Sequence, residues 1–147
     1  MIKSDKYVKK LFLDAGWFED RKIKIKLPLF GSINAAHKNA NIVLAQFGGL
    51  EVGEVCAGRE LSASDISFGT EAFDFGGEFH SYWSNLNTSL YSFASAHHDH
   101  MLLLVDENNV FYIFTDPDEQ LYKIGIFEET IKRVLLGINY GVALEKA

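Results

Sequence analysis

The residues of this chain that most invite a chemical reading are histidines: His97-His98-Asp99-His100 in one run, with His80 upstream. Imidazole beside carboxylate is what a zinc ion or a general base would use. The spacing argues against it. A helical metal pair wants ligands at i and i+4, and in a strand His98 and His100 would share a face while Asp99 pointed away. The run lies between two strand-like segments, where a polar turn is required. It therefore reads as that turn, and no metal, cofactor or catalytic set is expected. Cys56 is the single cysteine and reads as small hydrophobic packing rather than as a nucleophile. The acid pairs Asp116/Asp118 and Glu128/Glu129 could flank a scissile bond or hold calcium. Asp116-Pro117-Asp118 reads better as a turn, and Glu128-Glu129 as acids favouring the start of a helix. The chain has no Gly-x-Ser-x-Gly elbow, no phosphate-binding Gly-x-x-x-x-Gly-Lys-Ser/Thr loop and no strand-linked Gly-x-Gly-x-x-Gly.

The elements that position these residues follow from hydrophobic periodicity. Val8, Leu11, Phe12 and Ala15 fall at i, i+3, i+4 and i+7, which predicts an amphipathic helix capped by Ser4 and stopped at Gly16. Ile23, Ile25 and Leu27 alternate with lysines, an extended piece or short strand ended by Pro28. Ile33, Ala36, Ala40, Val43, Leu44 and Phe47 keep helical spacing, with Ser32 as cap and Gly48-Gly49 as stop. Beyond them the chain changes character. Leu50–Val55, Asp65–Phe68, Leu90–Ala96, Met101–Val105 and Val110–Thr115 are rich in β-branched and aromatic residues and read as strands. Asp106-Glu107-Asn108-Asn109 has hairpin chemistry, so its flanking strands should pair antiparallel. Gly77–Asn85 reads as a short helix on that scaffold. A closing helix is predicted from Phe127 to Leu136, ended by Gly137. Helices first, an antiparallel sheet next and a helix last give one α+β domain over residues 1–147, with two N-terminal helices and one C-terminal helix on a mainly antiparallel sheet.

Composition narrows the function classes. Hydrophobic residues at 48% and charged residues at 23% place the chain among globular domains. A lone thiol, an N-terminus without an apolar signal core and no membrane-length apolar run together predict a cytoplasmic protein. Charge is unevenly spread. Residues 1–38 carry nine Lys/Arg against four Asp/Glu, whereas residues 51–119 carry one, Arg59, against thirteen acids. Such an acidic stretch argues against nucleic-acid binding, because phosphate contacts need cations, and no nucleic acid is expected as a partner. It suits a basic protein partner, towards which its field would steer encounter; solubility is the other reading.

Within that acidic region Phe73, Phe75, Phe79, Tyr82 and Trp83 are interleaved with Glu71, Asp74 and Glu78. Large aromatics near charges in irregular segments resemble interface anchors, and core packing is the competing reading for each ring. With Asp65 and Asp106, this stretch is the expected partner-facing surface, its contacts being Asp65, Glu71, Asp74, Phe75, Glu78, Phe79, Trp83 and Asp106.

A set of landmarks also resembles a known family. Ala15-Gly16-Trp17 followed by Arg21, Phe47-Gly48-Gly49-Leu50, Val105-Asp106-Glu107 leading into Val110-Phe111-Tyr112, Gly125 and Leu136-Gly137 resemble the third group of the SUKH superfamily of bacterial immunity proteins. Asn109 stands where that family usually places Gly, and Asn tolerates the same left-handed backbone. The stretch Ser92–Ala96 lacks the Pro and Gly expected before the histidines. The resemblance implies an α+β fold with a mainly antiparallel sheet and binding to a cognate toxin of a polymorphic or contact-dependent system, nucleases and deaminases being prominent among such toxins. An intracellular scaffold or regulator on the same fold, and a metal-dependent enzyme centred on His97, His98 and His100, are the alternatives.

Overall fold

The computed structural model describes residues 2–3, 5–27, 33–76 and 81–147. Helix α1 (Lys6–Asp14) buries Val8 and Phe12, and its cap is Asp5, whose carboxylate accepts from the backbone N–H groups of Tyr7 and Val8. Helix α2 (Ala35–Phe47) is capped by Asn34, which accepts from His37 N. The expected caps Ser4 and Ser32 lie outside the described residues; in both helices the acceptor is a side chain nearer the first turn than expected, and Asp and Asn cap as well as Ser. Pro28 also lies outside them. Residues 23–27 form no strand and are held by Ile23 N to Ala45 O at 2.8 Å and Lys26 N to Thr70 O at 3.1 Å.

Six strands follow: β1 (Glu51–Val52), β2 (Ile66–Asp74), β3 (Leu90–Ala96), β4 (Met101–Asp106), β5 (Phe111–Thr115) and β6 (Gln120–Gly125), and then helix α3 (Phe127–Leu136). They form a single sheet in sequence order, each paired antiparallel with the next. The architecture is α+β, as the sequence predicts. Three boundaries differ. The first strand stops after two residues because Gly53 turns to φ +76°. The second extends to Asp74 through an irregularity between Phe68 and Phe73 that a strict alternation hides. The sixth strand was not expected; Leu121, Tyr122 and Ile124 form too short and too mixed a run. The histidine run folds as the β3–β4 turn and the Asp106–Asn109 segment as the β4–β5 hairpin, with Asn109 at φ +60°.

Strand alternation sends side chains to two faces. On one face α1, α2 and α3 cover Ile66, Phe68, Leu103, Val105, Phe111 and Ile113. A chain of rings joins the layers there: Phe12 to Phe47 at 5.3 Å, Phe47 to Phe127 at 5.0 Å and Phe68 to Phe93 at 6.2 Å between centroids. Trp17 folds back onto this core, stacked on Phe47 at 6.1 Å. Arg21 donates to the carbonyls of Gln46 and Gly48, closing the end of α2. Gly48 is required there, since an added Cβ would lie 2.6 Å from Leu44 O and 2.9 Å from Ile23 Cδ1.

Candidate functional site

The opposite, outer face of the sheet is divided. At one end Leu90, Leu104, Tyr112, Phe114 and Leu121 form a second core with Phe75 and Trp83. This end has a cover. Trp83 packs at 6.2 Å from Phe75 and 6.1 Å from Phe114, and its Nε1 donates to Leu144 O. The C-terminal segment crosses the same surface, with Leu144 N bonded to Leu121 O and Lys146 Nζ 5.2 Å above the Tyr82 ring. A 3-10 turn, Ser84–Leu86, borders it.

Among the described residues nothing covers the other end of the outer face, which is bare in that sense. Ser67 pairs with Ser95, which pairs with Leu102, so these three lie side by side across β2, β3 and β4. Phe73 pairs with Ser92. Register shifts interrupt both strand pairs over the same stretch, between Phe68 and Phe73 and between Ser92 and Ala94. Bulges bend and twist a strand locally, and here they leave a groove of about 240 Å³ bounded by Ser67, Gly69, Glu71, Phe73, Ser95 and Leu102. Phe73 is 62% exposed. Carboxylates stand around it. Glu51 accepts from Ser67 Oγ at 2.8 Å, Asp99 accepts from Ser95 Oγ at 2.8 Å, and Glu71 pairs with Lys26 Nζ at 3.6 Å.

Among the described residues the predicted contacts do not gather on one surface. Phe75 and Trp83 are 5% and 2% exposed and pack in the second core; once β2 extends past Phe73, alternation turns Phe75 onto the outer sheet face beneath Trp83. Asp106 is 3% exposed. Its carboxylate accepts from the N–H groups of Asn108 and Val110 and from Tyr112 Oη at 2.8 Å, which makes it the internal clamp of the hairpin. Burial first, and the Asp106 bond second, hold the Tyr112 hydroxyl far above its usual pKa. Asp65 is half-buried, with Oδ1 lacking a hydrogen-bond partner. Glu71 and Asp74 remain available on β2, the first half-buried and the second exposed. Glu78, Phe79 and His80 lie outside the described residues. What the sequence reading missed is the bare half itself: Ser67, Gly69, Glu71 and Phe73 recur at every second residue of β2, a period hidden by the glycine and by Thr70.

The other chemical candidates resolve simply. His97, His98 and Asp99 all take left-handed backbone, at φ +53°, +54° and +67°. His97 Nδ1 lies 2.8 Å from Ser64 Oγ. Among the described residues no three His, Cys, Asp or Glu side chains are gathered as ligands for a metal ion. Cys56 is exposed, contrary to the packing expected of it, because the loop after Gly53 leaves the sheet and only its backbone returns, to Ala63. Asp116–Glu119 forms a turn and Glu128 and Glu129 occupy the first turn of α3, as expected.

These features define a class: an α+β scaffold whose helices cover one sheet face, leaving part of the other open and ringed by acids. The particular family is shown by the sequence as a whole. The SUKH-3 immunity protein family model matches residues 4–137, and the chain belongs to that family. No curated protein and no solved structure matches it. The family landmarks have structural work to do: Trp17, Arg21, Phe47 and Gly48 lock α2 to the segment that precedes it, and Gly137 ends α3 at φ +68°, where a Cβ would lie 2.2 Å from Leu61 O. Among the described residues no helix is long and apolar enough to cross a membrane.

Proposed function

We propose that this chain is an immunity protein that binds a cognate bacterial toxin in the cytoplasm and neutralises it by stoichiometric occlusion rather than by catalysis. The observation that carries this reading is the SUKH-3 immunity match over nearly the whole chain. Charge supplies the chemistry of the partner. With thirteen acids and one base in residues 51–119, the sheet region attracts a cationic surface, and a toxin domain that acts on nucleic acid must present one to hold phosphates. An acidic protein laid over that surface competes with the substrate for it. Exposed acids speed encounter, and buried apolar contact lengthens residence. Of the predicted contacts, the half-buried Glu71 and the exposed Asp74 are the acids of β2 that support this reading.

The experiment is co-expression of this chain with the toxin domain encoded beside its gene, scoring survival and co-purification. Survival with a one-to-one complex is the expected result. Death of the cells, with no complex from any toxin of the locus, would replace this reading with that of a scaffold or regulator without a toxin partner.

A further inference from the structure

The geometry points to the bare half of the outer sheet face as the surface that docks the partner, with the groove beside Phe73 receiving an arginine or lysine side chain of the toxin. The inference rests on the immunity reading above and adds the place and the chemistry of contact. Three features carry it. The groove's centre is built from small residues, Ser67, Gly69 and Ser95, between the larger Phe73 and Leu102. A long aliphatic stem fits such a recess and covers apolar surface while its charged end remains at the rim. Second, the rim is anionic. The Glu51 and Asp99 carboxylates are each oriented by a serine hydroxyl that also faces the groove, at 2.8 Å, and each keeps further lone pairs for a cationic donor. Third, the chain already places one cation of its own here: Lys26, with 73% of its side chain exposed, reaches Glu71 at 3.6 Å. An exposed pair of that kind contributes little to stability, so the partner's guanidinium or ammonium can replace it at little cost.

Charge also selects among occupants. Nucleic acid is repelled by the rim. Two copies of this chain meeting face to face would bring like charges together, which disfavours that pairing. A ring exposed to 62% next to carboxylates offers a cationic side chain both a π face to stack on and counter-charges beside it. The second core at the other end of the face is closed by Trp83 and the C-terminal segment, and the recess between Trp83, Asn85, Leu86, Leu144 and Glu145 there is smaller, about 150 Å³.

The test uses the intact chain and the toxin domain encoded beside its gene. Phe73→Ala and Leu102→Ala are expected to weaken binding at least tenfold, mainly through faster dissociation. The triple variant Glu51→Gln/Glu71→Gln/Asp99→Asn should slow association and flatten its salt dependence. Glu107→Gln/Asp118→Asn, away from the groove, should leave dissociation unchanged and slow association less than the triple variant does, and melting curves of all variants establish that they are folded. Tight binding by the wild type with equal affinity from the folded groove variants would overturn the docking surface while leaving the immunity reading intact. Failure of the wild type to bind any toxin domain of its locus would overturn both. A wild-type dimer in light scattering that Phe73→Ala dissociates would assign the groove to a second copy instead.

Discussion

The two halves of the outer sheet face share β3 and β4, the bare half adding β2 and the covered half β5 and β6, and they differ in almost everything else. One half carries Leu104, Tyr112, Phe114 and Leu121, each at most 4% exposed, beneath Trp83 and the C-terminal segment. The other carries serines, a glycine and Phe73, and the acids lie beside it. Large apolar side chains on an open sheet must be covered, and in the first half the chain covers them itself. In the second it uses small and polar residues that tolerate water, and it leaves one aromatic uncovered. Stability and recognition are thus assigned mainly to different ends of one surface; Leu102 serves both, lining the groove and packing against the second core, whereas Phe73 can change at little cost to the fold.

That contrast makes predictions of graded size. Trp83→Ala removes the cover of the second core and should cost about 3–5 kcal/mol, read from urea unfolding. Tyr112→Phe leaves Asp106 Oδ2 without its hydroxyl donor and should cost about 1–3 kcal/mol. The tyrosines also predict a pH dependence. Burial pushes the Tyr140 hydroxyl up to about 12 and holds Tyr112 far above its usual value. A raised folded-state pKa stabilises fully below the unfolded value of about 10 and loses that contribution as pH rises through the folded value. Unfolding free energy should therefore fall between about pH 10 and 12, by up to about 1.4 kcal/mol per pH unit for each tyrosine, and fall less steeply in Tyr112→Phe. Phe73→Ala, in the bare half, should change stability by no more than about 0.5 kcal/mol. A large loss from Phe73→Ala, or a small one from Trp83→Ala, would break the division of labour.

The fold was largely legible because its signals are periodic or local. The α3 helix spans the residues its apolar stripe predicts, and the hairpin at Asp106 falls where the Asx chemistry puts it. The site was less legible for physical reasons. Phe75 and Trp83 look like exposed anchors because they stand in a Gly-punctuated acidic stretch, and only the extension of β2 past its bulge shows them turned inward. Asp106 looks like a surface acid, yet it is spent on its own hairpin. The groove comes from two coincident register shifts in neighbouring strand pairs, a non-local feature that no single stretch of sequence records. Cys56 is exposed by a loop whose course depends on Gly53 and on contacts of Arg59, Glu60 and Leu61 with the end of α3.

The central claim is that the partner lands on the carboxylate-rimmed, bare half of the sheet. Carbodiimide labelling of carboxylates, read by mass spectrometry on the chain alone and in complex with the toxin domain encoded beside its gene, tests it directly. Protection of Glu51, Glu71 and Asp99, with Glu107 and Asp118 labelled as before, is the predicted result. Protection confined to Glu107 and Asp118, with the groove acids still fully labelled, would contradict it.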